Sequence, residues 1–354
     1  MKKWKFFRYI ASGLLVIGVV ILLYLLGGKW AASYYLEKGA EYYQAGDINL
    51  AKRYFSRSTL LDPQNPISYA RLGLIALGST DSKQGLVDAN YREAAEYFER
   101  SLSFGLQEID TALYSRILER LGFSYWNIEQ YQKAISYYEK KVELYPEQSF
   151  WARYFTALDA FYYSNQPAKA LKVLAVAPNF PDVDLRALPR VYALLARLHA
   201  YFQAWDEAER YAELALDGRT SLPVEDVQAS HILLARVYGI RGQLAQAENE
   251  VKKASAAGDA TTSHGCFLAG IYTAASKHQQ AIATARAALS SIESVAHPFC
   301  MITLGESYLA VGNASEARKY LEEYLRVTEV LTQKDIFIIR SREEAQNKLS
   351  SLGF

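Results

Sequence analysis

The sequence predicts an all-helical protein, a row of paired helices behind one membrane-crossing helix. Residues 9–28 are twenty consecutive positions without a charge. Beyond them apolar residues recur at helical spacing, and no stretch sustains the period-two alternation of a half-buried strand. The remainder of the chain also repeats itself, in units of 34 to 49 residues. With 51% apolar and 22% charged residues in 354, there is material for a large core, which excludes intrinsic disorder. The 39 basic residues are matched by 38 acidic ones, so no nucleic-acid partner is expected. Two cysteines exclude a disulfide-dense scaffold and a four-thiolate zinc module.

The apolar run YIASGLLVIGVVILLYLLGG is long enough to span, since a helix needs roughly 20 apolar residues to cross a hydrocarbon core. Residues 1–8 carry Lys2, Lys3, Lys5 and Arg8 with no acid, whereas Lys29, Glu37 and Lys38 on the far side are mixed in sign. The positive-inside rule places the N-terminus in the cytoplasm and everything after Lys29 outside. Trp4, Phe6 and Tyr9 at one end, and Tyr24, Trp30 and Tyr34 at the other, suit the two interfaces. A cleaved signal peptide is the rival reading, but its apolar region would be shorter, and the small-residue site Ala31-Ala32-Ser33 follows the bulky Trp30. Gly13 and Gly18 are five apart and give no small-xxx-small face for dimerisation in the bilayer.

Eight units emerge when Ala51, Ala94, Ala134, Ala170, Ala208, Ala247, Ala281 and Ala317 are placed in one column, with starts near 32, 66, 115, 151, 189, 228, 262 and 298. Other columns then align unasked. Twelve residues before the alanine, allowing for about nine extra residues in the second unit, stand Gly39, Gly73, Gly122, Leu158, Ala196, Ala235, Ala269 and Gly305. Nine before it stand Tyr42, Ala76, Tyr125, Phe161, His199, Tyr238, Tyr272 and Tyr308. Four after it, the first units have Phe55, Phe98, Tyr138 and Leu174. Such columns describe a helical hairpin in which a small residue lets two helices approach and a ring fills the space above.

At these residues the chain resembles the tetratricopeptide repeat (TPR) family, whose 34-residue helix–turn–helix unit has large, small, aromatic, alanine, aromatic, alanine and proline positions in that order. Unit one matches through Tyr35, Gly39, Tyr42, Ala51, Phe55 and Pro63, and unit three through Leu118, Gly122, Tyr125, Ala134, Tyr138 and Pro146. The resemblance covers about residues 32 to 330. It departs where Leu158 takes a small position, where Lys141 and Tyr324 replace the last alanine, and where Ala212, Val251 and Ala285 replace an aromatic. The fold expected is a TPR-like solenoid over residues 29–330, held by nearest-neighbour contacts and closed by a C-terminal capping helix within 331–354. Ile336, Ile339, Leu349 and Leu352 lie roughly on one face of that helix. Residues 78–85 read as a loop insertion, and Pro178, Pro181 and Pro189 as a bend in one array.

No catalytic motif brings reactive groups together: there is no nucleophile elbow, phosphate loop, HExxH or glycine-rich turn after a strand. The expectation is a non-enzyme without cofactor or metal. His199 and His231 fall at ring and large positions and read as packed core histidines. Cys266 and Cys300, 34 residues apart, would neighbour one another across units seven and eight. Simple packing, a disulfide and a thiol or metal role all remain open for them. A disulfide would need a favourable offset, because parallel helices pack about 9–10 Å apart.

In the resembled family the second, fifth, ninth, twelfth and thirteenth positions face a concave groove that binds partners. Carried over, these positions are Arg116, Glu119, Phe123, Trp126 and Asn127 in unit three and Phe155, Asp159, Tyr162 and Tyr163 in unit four. Units five and six supply Arg190, Arg197, Tyr201 and Arg236. Rings and arginines suit a peptide groove, as such anchors dominate interface energetics. The blander reading is that some rings fill space between units. The lysine–asparagine clamp by which some relatives hold a terminal carboxylate is missing. The function expected is a scaffold for protein partners, anchored by residues 9–28 on the outer side of a bacterial cytoplasmic membrane and serving envelope assembly. An accessory groove for a polysaccharide strand is the alternative, since sugars also stack on rings, and self-association is open.

Overall fold

The computed structural model describes residues 27–78, 90–180, 182–217, 222–258, 264–290, 298–330 and 336–352. The expected membrane helix lies outside the described residues except for its last two positions, as does most of the 78–85 insertion. Among the described residues no helix is long and apolar enough to cross a membrane, and none forms a strand.

The chain divides into two compact units between Pro146 and Glu147. In the first, α1 (27–44) pairs with α2 (Ile48–Leu61) and α3 (Pro66–Ala76) with α4 (Tyr91–Ser103). A single turn, α5 (Leu106–Ile109), then leads to the pair α6 (Thr111–Asn127) and α7 (Tyr131–Leu144). The second unit holds α8 (Phe150–Tyr162) with α9 (Pro167–Leu174), α10 (Leu188–Tyr201) with α11 (Trp205–Asp217), and α12 (Val224–Ile240) with α13 (Leu244–Ala257). It continues with α14 (His264–Ala274) and α15 (His278–Ser290), then α16 (Pro298–Ala310) and α17 (Ala314–Glu329), and ends in α18 (Ile336–Ser351). The proline-rich junction is not where the chain divides. Phe150, Phe161, Leu174, Ala177, Ala187, Val191 and Leu198 form one buried cluster running from α8 across that junction into α10, and apolar burial on both sides welds it shut.

The small and ring columns interlock. A Cβ added at Gly39 would stand 2.6 Å from the Phe55 ring, at Gly73 2.4 Å from Phe98, and at Gly122 2.7 Å from Tyr138. The three rings are fully buried. In the last hairpin Gly305 meets Leu321 in the same way, at 2.6 Å. Where alanine replaces glycine, at Ala196, Ala235 and Ala269, the facing residue shrinks to Ala212, Val251 or Ala285, and all six are buried. The departures at Ala212, Val251 and Ala285 are therefore paired changes in volume across one contact. Lys141, at a last-alanine position, is buried with its ammonium donating to Ser115 and lying over the Tyr145 ring. His231, another buried group, meets Glu250 at 2.7 Å, and His199 stacks on Tyr211.

The hairpin turns share a feature that composition hides. Five residues before the column alanine the backbone is left-handed in seven hairpins: Gly46, Glu129, Asn165, Gln203, Gly242, Ser276 and Gly312, with φ between 50° and 82°. In six of them the next N–H donates to the carbonyl of the ring column, as from Asp47 to Tyr42, Gln130 to Tyr125 and Gln243 to Tyr238, at 2.7–2.9 Å. This closure satisfies carbonyls that a helix end leaves unbonded. Asp47, Asn65, Asn90, Asp110 and Asn313 then cap following helices, each side chain accepting from a backbone N–H three residues on.

Cys266 of α14 and Cys300 of α16 are joined in a disulfide with their Cα atoms 4.7 Å apart. They occupy the fifth and third positions of their units, and that two-residue stagger supplies the offset a disulfide needs. Gly265, whose Cβ would fall 2.7 Å from Ala288, lets the helices close in around it.

A left-handed backbone strains any residue with a Cβ, so the turns predict opposite effects of opposite exchanges. Gln203→Gly should raise the denaturation midpoint by up to about 1 kcal/mol of stability, and Gly242→Ala should lower it by about as much. Urea unfolding followed by circular dichroism measures both.

Candidate partner-binding groove

The first helices of successive hairpins pack in an unbroken row, α8 on α10, α10 on α12, α12 on α14 and α14 on α16, and each second helix backs the first helix of the next hairpin. A wall made of first helices is the surface on which such arrays display side chains.

On the wall of the second unit three successive first helices contribute to one polar network. Arg197 of α10 donates through Nη1 to the Tyr162 hydroxyl of α8 at 2.6 Å and through Nη2 to Asp226 of α12 at 2.9 Å. Burial works against the charge of Arg197, but Tyr162 and Asp226 together outweigh it, and its pKa sits above the ordinary value. Tyr154, eight residues before Tyr162 on α8, is pushed up to about 12 by burial and then by the charge of Asp226. Arg236 of α12 projects over the Trp205 ring, 5.3 Å from its centre. Loss of water around its guanidinium lowers its pKa against the opposing pull of Glu306 and Glu344.

Of the other expected residues of this unit, Tyr201 closes α10 with its ring edge-on to Phe161, Arg190 and Tyr163 are exposed, and Phe155 stacks on Trp151. Asp159 is buried and accepts a 2.7 Å hydrogen bond from Ser164 in its own hairpin turn. The network thus unites Tyr162 and Arg197 from the expected set with Asp226, which the family positions do not mark. Asp226 lies in the first turn of α12, where its charge also suits the helix N-terminus.

In the first unit α6 presents Arg116 and Asn127 exposed and Glu119, Phe123 and Trp126 half-buried. Phe123 meets Tyr91 edge-on, Trp126 meets Tyr131, and Asn127 donates to the Phe123 carbonyl. Beside them Glu99 accepts from both the Tyr125 and Tyr137 hydroxyls at 2.8 Å, and the two rings stack. Burial and then Glu99 raise both phenols far above their usual range. Among the described residues no group of three or more His, Cys, Asp or Glu side chains could hold a metal ion.

Two segments, residues 32–65 and 115–148, match the tetratricopeptide repeat family, and they are the stretches whose residues carry the closest resemblance. Those two segments are similar to tetratricopeptide repeats, and the described residues fold as a TPR-like series of helical hairpins. Among curated proteins none matches the chain. Of solved structures, PilF of Pseudomonas aeruginosa is 18% identical, with 64% of this chain and 91% of that one covered and a TM-score of 0.44. A tetratricopeptide repeat protein from Parabacteroides merdae is 17% identical over 90% of this chain and all of its own, with a TM-score of 0.39. YrrB, described as having an unusual peptide-binding site, is 18% identical over 52% of this chain and 85% of that one, with a TM-score of 0.41.

The Tyr154 phenol yields a pH prediction. Its folded pKa is raised, so its contribution to stability is complete below the ordinary pKa of 10.0 and is lost as the pH climbs toward 12. Tyr154→Phe should delete one late-titrating phenol from an ultraviolet titration and make unfolding less sensitive to pH across that window.

Proposed function

We propose that this protein is a membrane-tethered scaffold that gathers protein partners on the outer side of a bacterial cytoplasmic membrane for the assembly of an envelope complex. The observation that carries the binding role is the network on α8, α10 and α12, where Tyr162, Arg197 and Asp226 offer a ring and both signs of charge on one wall. Rings and arginines held in place by neighbours bind without a large ordering cost.

Two observations support the location. The uncharged run at 9–28 follows a purely basic tail, the arrangement of an anchor with its N-terminus in the cytoplasm. The disulfide between Cys266 and Cys300 suits an oxidising compartment, since cytosolic thiols are kept reduced.

A membrane-impermeant amine crosslinker added to sealed spheroplasts tests place and role together. The chain should be recovered with proteins attached. The double variant Tyr163→Ala, Arg197→Gln should lose about tenfold of that capture, the scale of an interface hot spot, while its circular dichroism stays that of the parent. Crosslinks that appear only after the spheroplasts are opened, or equal capture by the variant, would overturn the reading.

A further inference from the structure

Helix α18 has two sides employed differently. Ala345 and Leu349 pack with Met301, Leu321 and Tyr324 of the last hairpin, and Ser341 meets the Tyr324 hydroxyl, as a terminal cap requires. Arg340, Glu344 and Lys348 are spaced four apart and share another edge. Their contacts exceed what a cap needs. Arg340 donates through Nη1 to the Tyr201 carbonyl at 2.7 Å, across 139 residues of sequence, and its guanidinium lies 5.4 Å from the centre of the Tyr201 ring. Lys348 pairs with Glu306 of α16, and Arg340 is steadied by Glu344 at 3.0 Å.

Both receiving residues belong to the row of first helices. Tyr201 ends α10, where the last carbonyls have no partner within the helix and the helix dipole favours a cation. Glu306 is the ninth residue of its unit, one of the positions that face the groove in the resembled family. α18 therefore lies against the inner wall with two cations seated, one on a helix end and an aromatic face, the other on a carboxylate.

We propose that the wall from Tyr201 on α10 to Glu306 on α16 is a helix-binding surface whose partner is an amphipathic helix with two cations eight residues apart, and that α18 is its resident occupant. This deepens the scaffold reading and rests on it. A partner helix of that chemistry displaces α18, so the resident helix sets the threshold for capture.

The test titrates a fluorescent peptide of residues 336–351 against the solubilised full-length protein. Wild type, its wall filled, should bind weakly, and the variant Arg340→Ala, Lys348→Ala should bind at least about tenfold more tightly, because the competent state is no longer taxed by the occupant. A peptide with both cations changed to glutamate should bind neither. Equal binding to both proteins, equal binding of the charge-reversed peptide, or no binding to the opened variant would each overturn the proposal. Should the opened variant lose helix content, the reciprocal pair serves: Lys348→Glu should lower the melting temperature and Glu306→Lys added to it should restore it, and failure of that rescue counts against the seat. Crosslinking the same variants separates the two readings. Greater capture by the opened variant supports this wall as the partner's seat. Undiminished but unincreased capture overturns that seat and leaves the scaffold role standing, whereas capture by neither protein overturns both.

Discussion

One contact recurs in hairpin after hairpin and everything else is arranged around it: a residue on the first helix meets a residue on the second whose volume complements its own. A residue at one column and a residue sixteen positions later, or twenty-five in the second hairpin with its insertion, set how closely two helices approach. Glycine under Phe55, Phe98 or Tyr138 gives one solution, and alanine under Ala212, Val251 or Ala285 gives another. The fourth hairpin uses a third, with Leu158 partly buried against a cluster that contains Leu174. Because interiors are packed as densely as organic crystals, the two columns cannot vary independently.

From that spacing follows the row of first helices and from the row follows a wall. Arg197 reaches Tyr162 on one side and Asp226 on the other only because α8, α10 and α12 are held at one distance by their own hairpins. The disulfide extends the same register to α14 and α16. The polar network costs desolvation, and Arg197 is kept charged there by two partners rather than one. A surface so prepared is suited to a ligand that brings complementary charge, and α18 sets Arg340 and Lys348 against Tyr201 and Glu306 of the same row of helices.

The architecture was legible because its signals are local and repeated: alanine, glycine and ring columns at fixed spacing. The left-handed turn column was not legible, since Glu129, Asn165, Gln203 and Ser276 stand where only three hairpins keep glycine. The division after Pro146 was also hidden. Pro178, Pro181 and Pro189 crowd the passage from α9 into α10, yet the core across that junction is continuous. The family positions name Tyr162, Arg197 and Arg236, which stand on α8, α10 and α12. Asp226 and the polar edge of α18 are not named by them, because they matter through contacts between helices apart in sequence. The cysteines were undecided for a related reason: a stagger of two residues between neighbouring helices is a tertiary quantity.

A double-mutant cycle across the recurring contact tests the account most directly, with Gly122→Ala and Tyr138→Leu made singly and together and unfolding free energies compared. The account predicts that each change alone destabilises, the first by crowding the ring and the second by emptying the space above the glycine, and that together they recover 0.5 kcal/mol or more of coupling, roughly the scale for residues in contact. Strict additivity would mean that the two columns do not set the helix spacing, and the row of first helices would lose its physical basis.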